Sequence, residues 1–316
     1  MKRSIEYRTS CIKGFMILII TMSLAVSCQE EIAFEDEWGD PKLVLNAIIE
    51  EGEPIVAHLS RSKQVTDLSG LSLNIINGSI SLYAEGIKIS DLTHTENGLY
   101  VSGIPAVTGV TYELLAIAPN YELIKGQSTV AIPTQINGID SVGVQTDQWQ
   151  GEQIVLNVKF SDVAGVDNYY RLSAYYMDSI EMYNPQSETY ELVYDRRSVN
   201  LYASEVGGDI YQFNNALNVS DALFDGKEYQ LKVNMDSWSL PANKPVQVYF
   251  ELGSQDKHLF YYTKAVMLQE QSQDMSIFAE PVAMYNNIEG GVGIVGSISH
   301  SSKSLQLHLE YEYEEF

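Results

Sequence analysis

The sequence predicts a mainly β protein made of two β-sandwich-like domains, the larger C-terminal one carrying one helix. Three observations predict it. From Pro41 onward the chain runs in short stretches of alternating or β-branched residues, punctuated by Gly, Asn, Asp and Pro. Helical spacing replaces that pattern over one long stretch, residues 254–271. Tyrosine is in excess, 21 against three tryptophans, and tyrosine suits both half-buried sheet faces and partner interfaces.

In the first predicted domain, residues 41–135, KLVLNAII (42–49) and PIVAHLS (54–60) flank EEGE and predict a hairpin. Further strands are predicted at SISLYAE (79–85), GLYVSG (98–103), TYELLAIA (111–118) and STVAIPT (128–134). Strands at this spacing predict a small sandwich. ENGLYVSGIPAVTGVTYELLAIAPNYE resembles the immunoglobulin-like or carboxypeptidase-regulatory-like modules of exported proteins. The boundary is placed at residues 133–138, where Pro133 ends one strand and QING opens another.

The second predicted domain, residues 136–316, opens with IVLNVKFSD (154–162). There Ile154, Leu156, Val158 and Phe160 alternate with Val155, Asn157 and Lys159, one face buried and one wet. Residues 168–202 read as two long tyrosine-rich strands joined around 184–187. QLKVNM and VQVYFEL, near Lys232 and Tyr249, predict two more strands. Over 254–271, Leu259, Tyr262 and Val266 follow helical spacing, with Ser254 as the capping residue and Asp256 suited to the positive helix end. LQLHLEYEYEEF at the end alternates Leu305, Leu307 and Leu309 with Gln306, His308 and Glu310, a strand with one apolar face.

The first residues predict location. Lys2, Arg3, Arg8 and Lys13 precede an uncharged apolar run, 14–26, too short to cross a hydrocarbon core comfortably as a helix; this is the build of an export signal. Ala25, Val26 and Ser27 before Cys28 resemble a bacterial lipoprotein signal, so residues 1–27 are expected to be removed and Cys28 acylated. Cys11 falls within the removed segment, which leaves Cys28 the one cysteine of the mature chain and no disulfide framework. Acyl chains there would anchor the protein without spanning the bilayer. Residues 28–40 read as an acidic, self-repelling tether. Glu30 and Glu31 just behind the cysteine resemble the surface-export signal of Bacteroidota lipoproteins.

Formal net charge is -23, and a surface that acidic repels nucleic acid, which is not expected as a partner. GVGIVG (291–296) matches G-x-G-x-x-G in form, but NNIEG precedes it and SISHSSKS follows, with no crossover helix to hold a pyrophosphate; close packing of chain segments explains those glycines. DALFDG (221–226) lacks the ligand spacing of a calcium loop and reads as a turn at Asp225-Gly226. His58, His94, His258, His300 and His308 show no metal-ligand spacing, and no G-x-S-x-G elbow is present. No catalytic residue, cofactor or metal is assigned.

FSDVAGVDNYYRL (160–172), SDALFDGKEYQLKV (220–233), VQVYFELGSQDKHLFYYTKAVMLQEQ (246–271) and IFAEPVAMYNNIEGGVGIVGSIS (277–299) together resemble the DUF4249-like Bacteroidota lipoproteins that accompany TonB-dependent outer-membrane receptors. The resemblance implies an N-terminal sandwich, a second β-rich domain and a role beside a nutrient importer. It supplies no site residues. Asp140-Ser141-Val142 and Asp178-Ser179-Ile180 also resemble the O-glycosylation signal of exported proteins in such bacteria. The expected function is a non-enzymatic, lipid-anchored, surface-facing accessory to a TonB-dependent transporter. Its alternatives are a fimbria-like or adhesive surface subunit and a surface hydrolase. Tyr169, Tyr170, Tyr175 and Tyr176 are the candidate partner contacts.

Overall fold

A computed structural model describes residues 40–63, 70, 72–147, 151–204, 209–241, 244–274 and 282–308. The signal segment, Cys28, the tether up to residue 39 and the tail 309–316 lie outside them. The protein is mainly β, with a large mixed sheet, a smaller antiparallel sheet and one α-helix.

The first half supplies β1 (Leu43–Glu50), β2 (Pro54–Arg61), β3 (Ser79–Ala84), β4 (Ile87–His94), β5 (Leu99–Pro105), β6 (Thr111–Ile117) and β7 (Ile124–Thr129). β1 and β2 form the expected hairpin, pairing Leu43 with Arg61 through Ala47 with Ala57. Leu43, Leu45, Ala47 and Ile49 point inward while the residues between them do not. Two expectations shift here. β4 is absent from the sequence reading, because of its eight residues only Leu92 is buried and the alternation of Ile87 and Ile89 changes phase before Leu92, where the register shifts. The strand expected at 128–134 instead spans Ile124–Thr129, with Ile124, Gly126 and Ser128 inward. A Cβ on Gly126 would meet Ile288 and Val295 within 2.6 Å, so an apolar alternation has no room there.

The second half supplies β8 (Ile136–Asp147), β9 (Gly151–Ser161), β10 (Tyr169–Asn184), β11 (Thr189–Val199), β12 (Leu201–Ala203), β13 (Ile210–Phe213), β14 (Ala216–Ser220), β15 (Glu228–Asp236) and β16 (Pro245–Gln255). Then come helix α1 (Lys257–Asp274) and β17 (Val292–His308). The large sheet runs β13-β14-β10-β16-β17-β1-β2-β5-β4-β3-β6-β7, with β11 on β10; the small one runs β12-β15-β9-β8. β9 buries Ile154, Leu156, Val158 and Phe160 as its alternation predicts, but Val155, expected on the wet face, is buried as well, where its cross-strand partner Asn234 bonds to the buried Gln153.

β17 joins the two halves. Its first part runs parallel to β1, Val44 beside Val292 through Glu50 beside Ile298; its second part is antiparallel to β16, Gln255 opposite Ile298 through Pro245 opposite His308. Val295 belongs to the core of the first half and Leu307 to that of the second. The GVGIVG segment lies largely inside this strand, and no helix follows it. Its glycines serve close approach: a Cβ on Gly293, at φ +126, would sit 2.1 Å from the Leu45 carbonyl oxygen, and one on Gly296 would touch Leu259 of α1 at 3.0 Å.

The helix is capped two residues later than the sequence suggests. Ser254 is not its cap; it is buried in β16, where its Oγ accepts from Thr134 N at 2.9 Å. Asp256 caps instead, its Oδ1 accepting from Leu259 N at 2.9 Å. No helix among the described residues is long and apolar enough to cross a membrane.

Candidate functional site

The residues Tyr169 to Tyr202 singled out by their tyrosine content divide between core and surface along β10. Its first half is covered on both faces. Tyr170 and Tyr176 enter the larger core with Leu172 and Phe160, and the Tyr170 hydroxyl donates to Asp162. Tyr169 points the other way, under α1, its ring 4.8 Å from Phe260. Burial raises the pKa of both hydroxyls. Tyr211, on β13 beyond β14, is pushed up to about 12 by the same cause. Of the four candidate contacts, Tyr175 alone is half-exposed.

Beyond Tyr176, which pairs with Val248, β10 has no partner but β11 among the described residues, and β11 has none but β10. The two strands continue as a projecting hairpin with both faces and both edges open. Alternation and register place Tyr175, Met177 and Tyr183 of β10 on the same face as Arg196, Tyr194, Leu192 and Tyr190 of β11. Tyr190 is 71% exposed, Tyr194 69% and Leu192 60%. Tyr183 and Tyr190 touch as a ring pair, centroids 5.4 Å apart. At the base, Tyr175 stacks on Tyr249 at 5.2 Å, and the Arg196 guanidinium lies 3.7 Å above the Tyr175 ring while bonded to Glu251. A two-stranded hairpin with no core of its own is marginal in water. One that exposes tyrosine, methionine, leucine and arginine on one face has the composition of a contact surface.

A second feature lies at the start of α1. A cavity of about 430 Å³ opens between the segment after β7, with Ala131, Ile132 and Thr134, and the β9–β10 loop, with Val163, Val166 and Asn168; Tyr169, Gln255 and His258 close it behind. The β9–β10 loop is fastened by three aspartates. Asp162 accepts from Gly226 N at 2.8 Å, Asp225 from Gly165 N at 2.7 Å, and Asp221 from Asn168 N at 2.8 Å. Carboxylate oxygens of the three lie within 4.8 Å of one another. DALFDG supplies two of them through its expected turn, closed by Lys227 N to Phe224 O. Asp162, 59 residues before Asp221, was invisible as a third because only the β9–β15 pairing brings it there. Burial raises the Asp221 pKa, with the neighbouring Asp162 adding to it. The arrangement fixes backbone, since each carboxylate is already engaged with an amide.

Ser128, Asp256 and His258 also come together without forming a nucleophilic triad. The Ser128 hydroxyl is buried and donates to Asp256, and His258 Nδ1 pairs with the Tyr285 hydroxyl at 2.7 Å. A triad needs the serine to donate to the imidazole. Burial lowers the His258 pKa.

Residues 29–304 match the family model described as "Domain of unknown function (DUF4249)". No curated protein matches the chain. A solved chain described as "Complete structure of manganese lipoxygenase of Gaeumannomyces graminis and partial structure of zonadhesin of Komagataella pastoris" shares 8% identity with a TM-score of 0.20, over 68% of this chain and 90% of that one. At that score the likeness says nothing of fold or function. With its match running from the residue after Cys28 nearly to the end of β17, the chain belongs to the DUF4249 family.

Proposed function

We propose that this protein is a lipid-anchored accessory of the outer membrane, facing the cell exterior, that assists a TonB-dependent transporter in capturing or taking up cargo without catalysing a reaction. The observation that carries the reading is the projecting β10–β11 hairpin with its face of Tyr175, Met177, Tyr183, Tyr190, Leu192, Tyr194 and Arg196. Tyrosine and arginine dominate the residues on which binding energy concentrates. The lipoprotein-like signal that ends at Cys28 supports it from the sequence side: a tethered module has a high effective concentration at one membrane, so a hairpin-sized contact suffices. The family resemblance supplies the class of partner.

The test is purification of the native lipidated protein from mildly solubilised outer membranes. The reading expects a TonB-dependent transporter to co-purify, and to be lost when Tyr190 and Tyr194 are both changed to Ser. A transporter absent from the native preparation, or retained by the double variant, contradicts it.

A further inference from the structure

The cavity at the start of α1 has two rigid walls whose side chains face water. On one side, the β9–β10 loop is held by Asp162, Asp221 and Asp225, and Asn168 Nδ2 donates back to Val163 O and Val166 O at 3.1 and 2.7 Å. Val163 and Val166 nevertheless remain 59% and 60% exposed. On the other side, Thr134 is fixed through its N–H to Ser254 and its carbonyl to Ser301, and Thr129 accepts from Ser297 at 2.7 Å. Between those fixed points Ile132 is 75% exposed. Three aliphatic side chains thus stand in water between hydrogen-bonded points of the backbone. Walls preformed in this way spare a ligand the entropy of ordering them.

The back of the cavity is polar. Gln255 is 3% exposed; its Nε2 donates to Asn218 Oδ1 at 3.1 Å, and its Oε1 has no hydrogen-bond partner among the described residues. Asp167 places an exposed carboxylate in the lining near Lys257, with Asp162 and Asp221 fastening the loop behind and a net charge of -23 over the whole chain. This field disfavours an anion and favours a cation.

We propose that this cavity is a binding site for a small cationic ligand with a branched aliphatic body, in which the body contacts Ile132, Val163 and Val166 and the ammonium faces Asp167. Two sources share that chemistry, the amino terminus of a short aliphatic peptide and a free aliphatic amine. The inference goes beyond the docking reading and does not depend on it, because it needs neither a membrane nor a transporter.

Calorimetric titration of the full-length protein in detergent tests it with three probes: leucyl-leucinamide, isopentylamine and isovalerate. The expected result is saturable binding of at least one amine probe and none of isovalerate, with the stronger amine identifying the source. V166R, which removes wall surface and adds a positive charge at an exposed position, is expected to weaken that binding at least tenfold, and D167N several-fold. Both positions are exposed, and should V166R fail to fold, D167N carries the comparison. Saturable binding of neither amine, isovalerate binding as tightly as the amines, or unchanged affinity in the folded variants overturns the proposal.

Discussion

The hydroxyl of Ser128 donates to the carboxylate of Asp256 at 2.7 Å across 128 residues of chain. The same carboxylate accepts from Leu259 N at 2.9 Å and Ser297 N at 3.2 Å. One side chain therefore ties the end of β7, the first turn of α1 and the middle of β17 together. Asp256→Ala removes the helix cap, worth about 1 kcal/mol, and leaves buried donors without an acceptor at about 1–3 kcal/mol. A loss of about 2–4 kcal/mol is expected in urea unfolding, and a smaller one for Asp256→Asn, which keeps an acceptor oxygen.

The pH dependence at this position follows from burial. Taking the Asp256 carboxyl out of water raises its pKa in the folded state. The folded chain then holds that proton more tightly than the unfolded chain. The stability contributed is fully present below the unfolded value, about 4, and is lost as pH rises from there through the raised value. Asp256→Asn lacks this titration, so relative to the parent it should gain stability as pH rises through that window. Unfolding curves at a series of pH values check the sign, and a relative loss with rising pH would be the wrong one.

Gly293 sets the parallel pairing of β1 and β17. At φ +126, with the Leu45 carbonyl oxygen 2.1 Å from where a Cβ would stand, Gly293→Ala forces backbone apart in the strand that joins the two cores. A cost of about 3 kcal/mol or more is expected, at the upper end for backbone strain. Gly103, whose added Cβ would meet nothing within 4 Å, is the control and should tolerate alanine far better. Chemical denaturation of the two variants side by side makes the comparison.

The hairpin variants should behave in the opposite way. Tyr190→Ser, Leu192→Ser and Tyr194→Ser remove exposed side chains and should each change folding stability by no more than about 0.5 kcal/mol. If these residues anchor the partner, each should weaken its binding by about 2 kcal/mol, roughly thirtyfold in affinity. Thermal melts and affinity titrations on the same preparations separate the two effects.

What the sequence disclosed, and what it hid, divides on whether one side chain period was at work. β1 and β2 face a core on one side and water on the other, so their alternation is plain. β10 begins with both faces covered, by the core that holds Tyr170 and by α1 over Tyr169, and ends with both faces open. Its tyrosines look alike in sequence yet split between interior and surface. β7 and the start of β17 use Gly126, Ser128, Gly293 and Gly296 at tightly packed positions, where apolar periodicity gives no signal. The three-aspartate clasp and the Ser128–Asp256 bond join residues far apart in the chain, which no local pattern encodes.

The central claim is that the open face of the β10–β11 hairpin meets a transporter at the cell surface. It is tested most directly by placing a photo-crosslinking residue at Tyr190 in living cells, with Lys88, exposed on β4, as the control position. The account predicts a covalent adduct with a TonB-dependent transporter from position 190 and none from position 88. No transporter adduct from 190, or the same adduct from both positions, would contradict it.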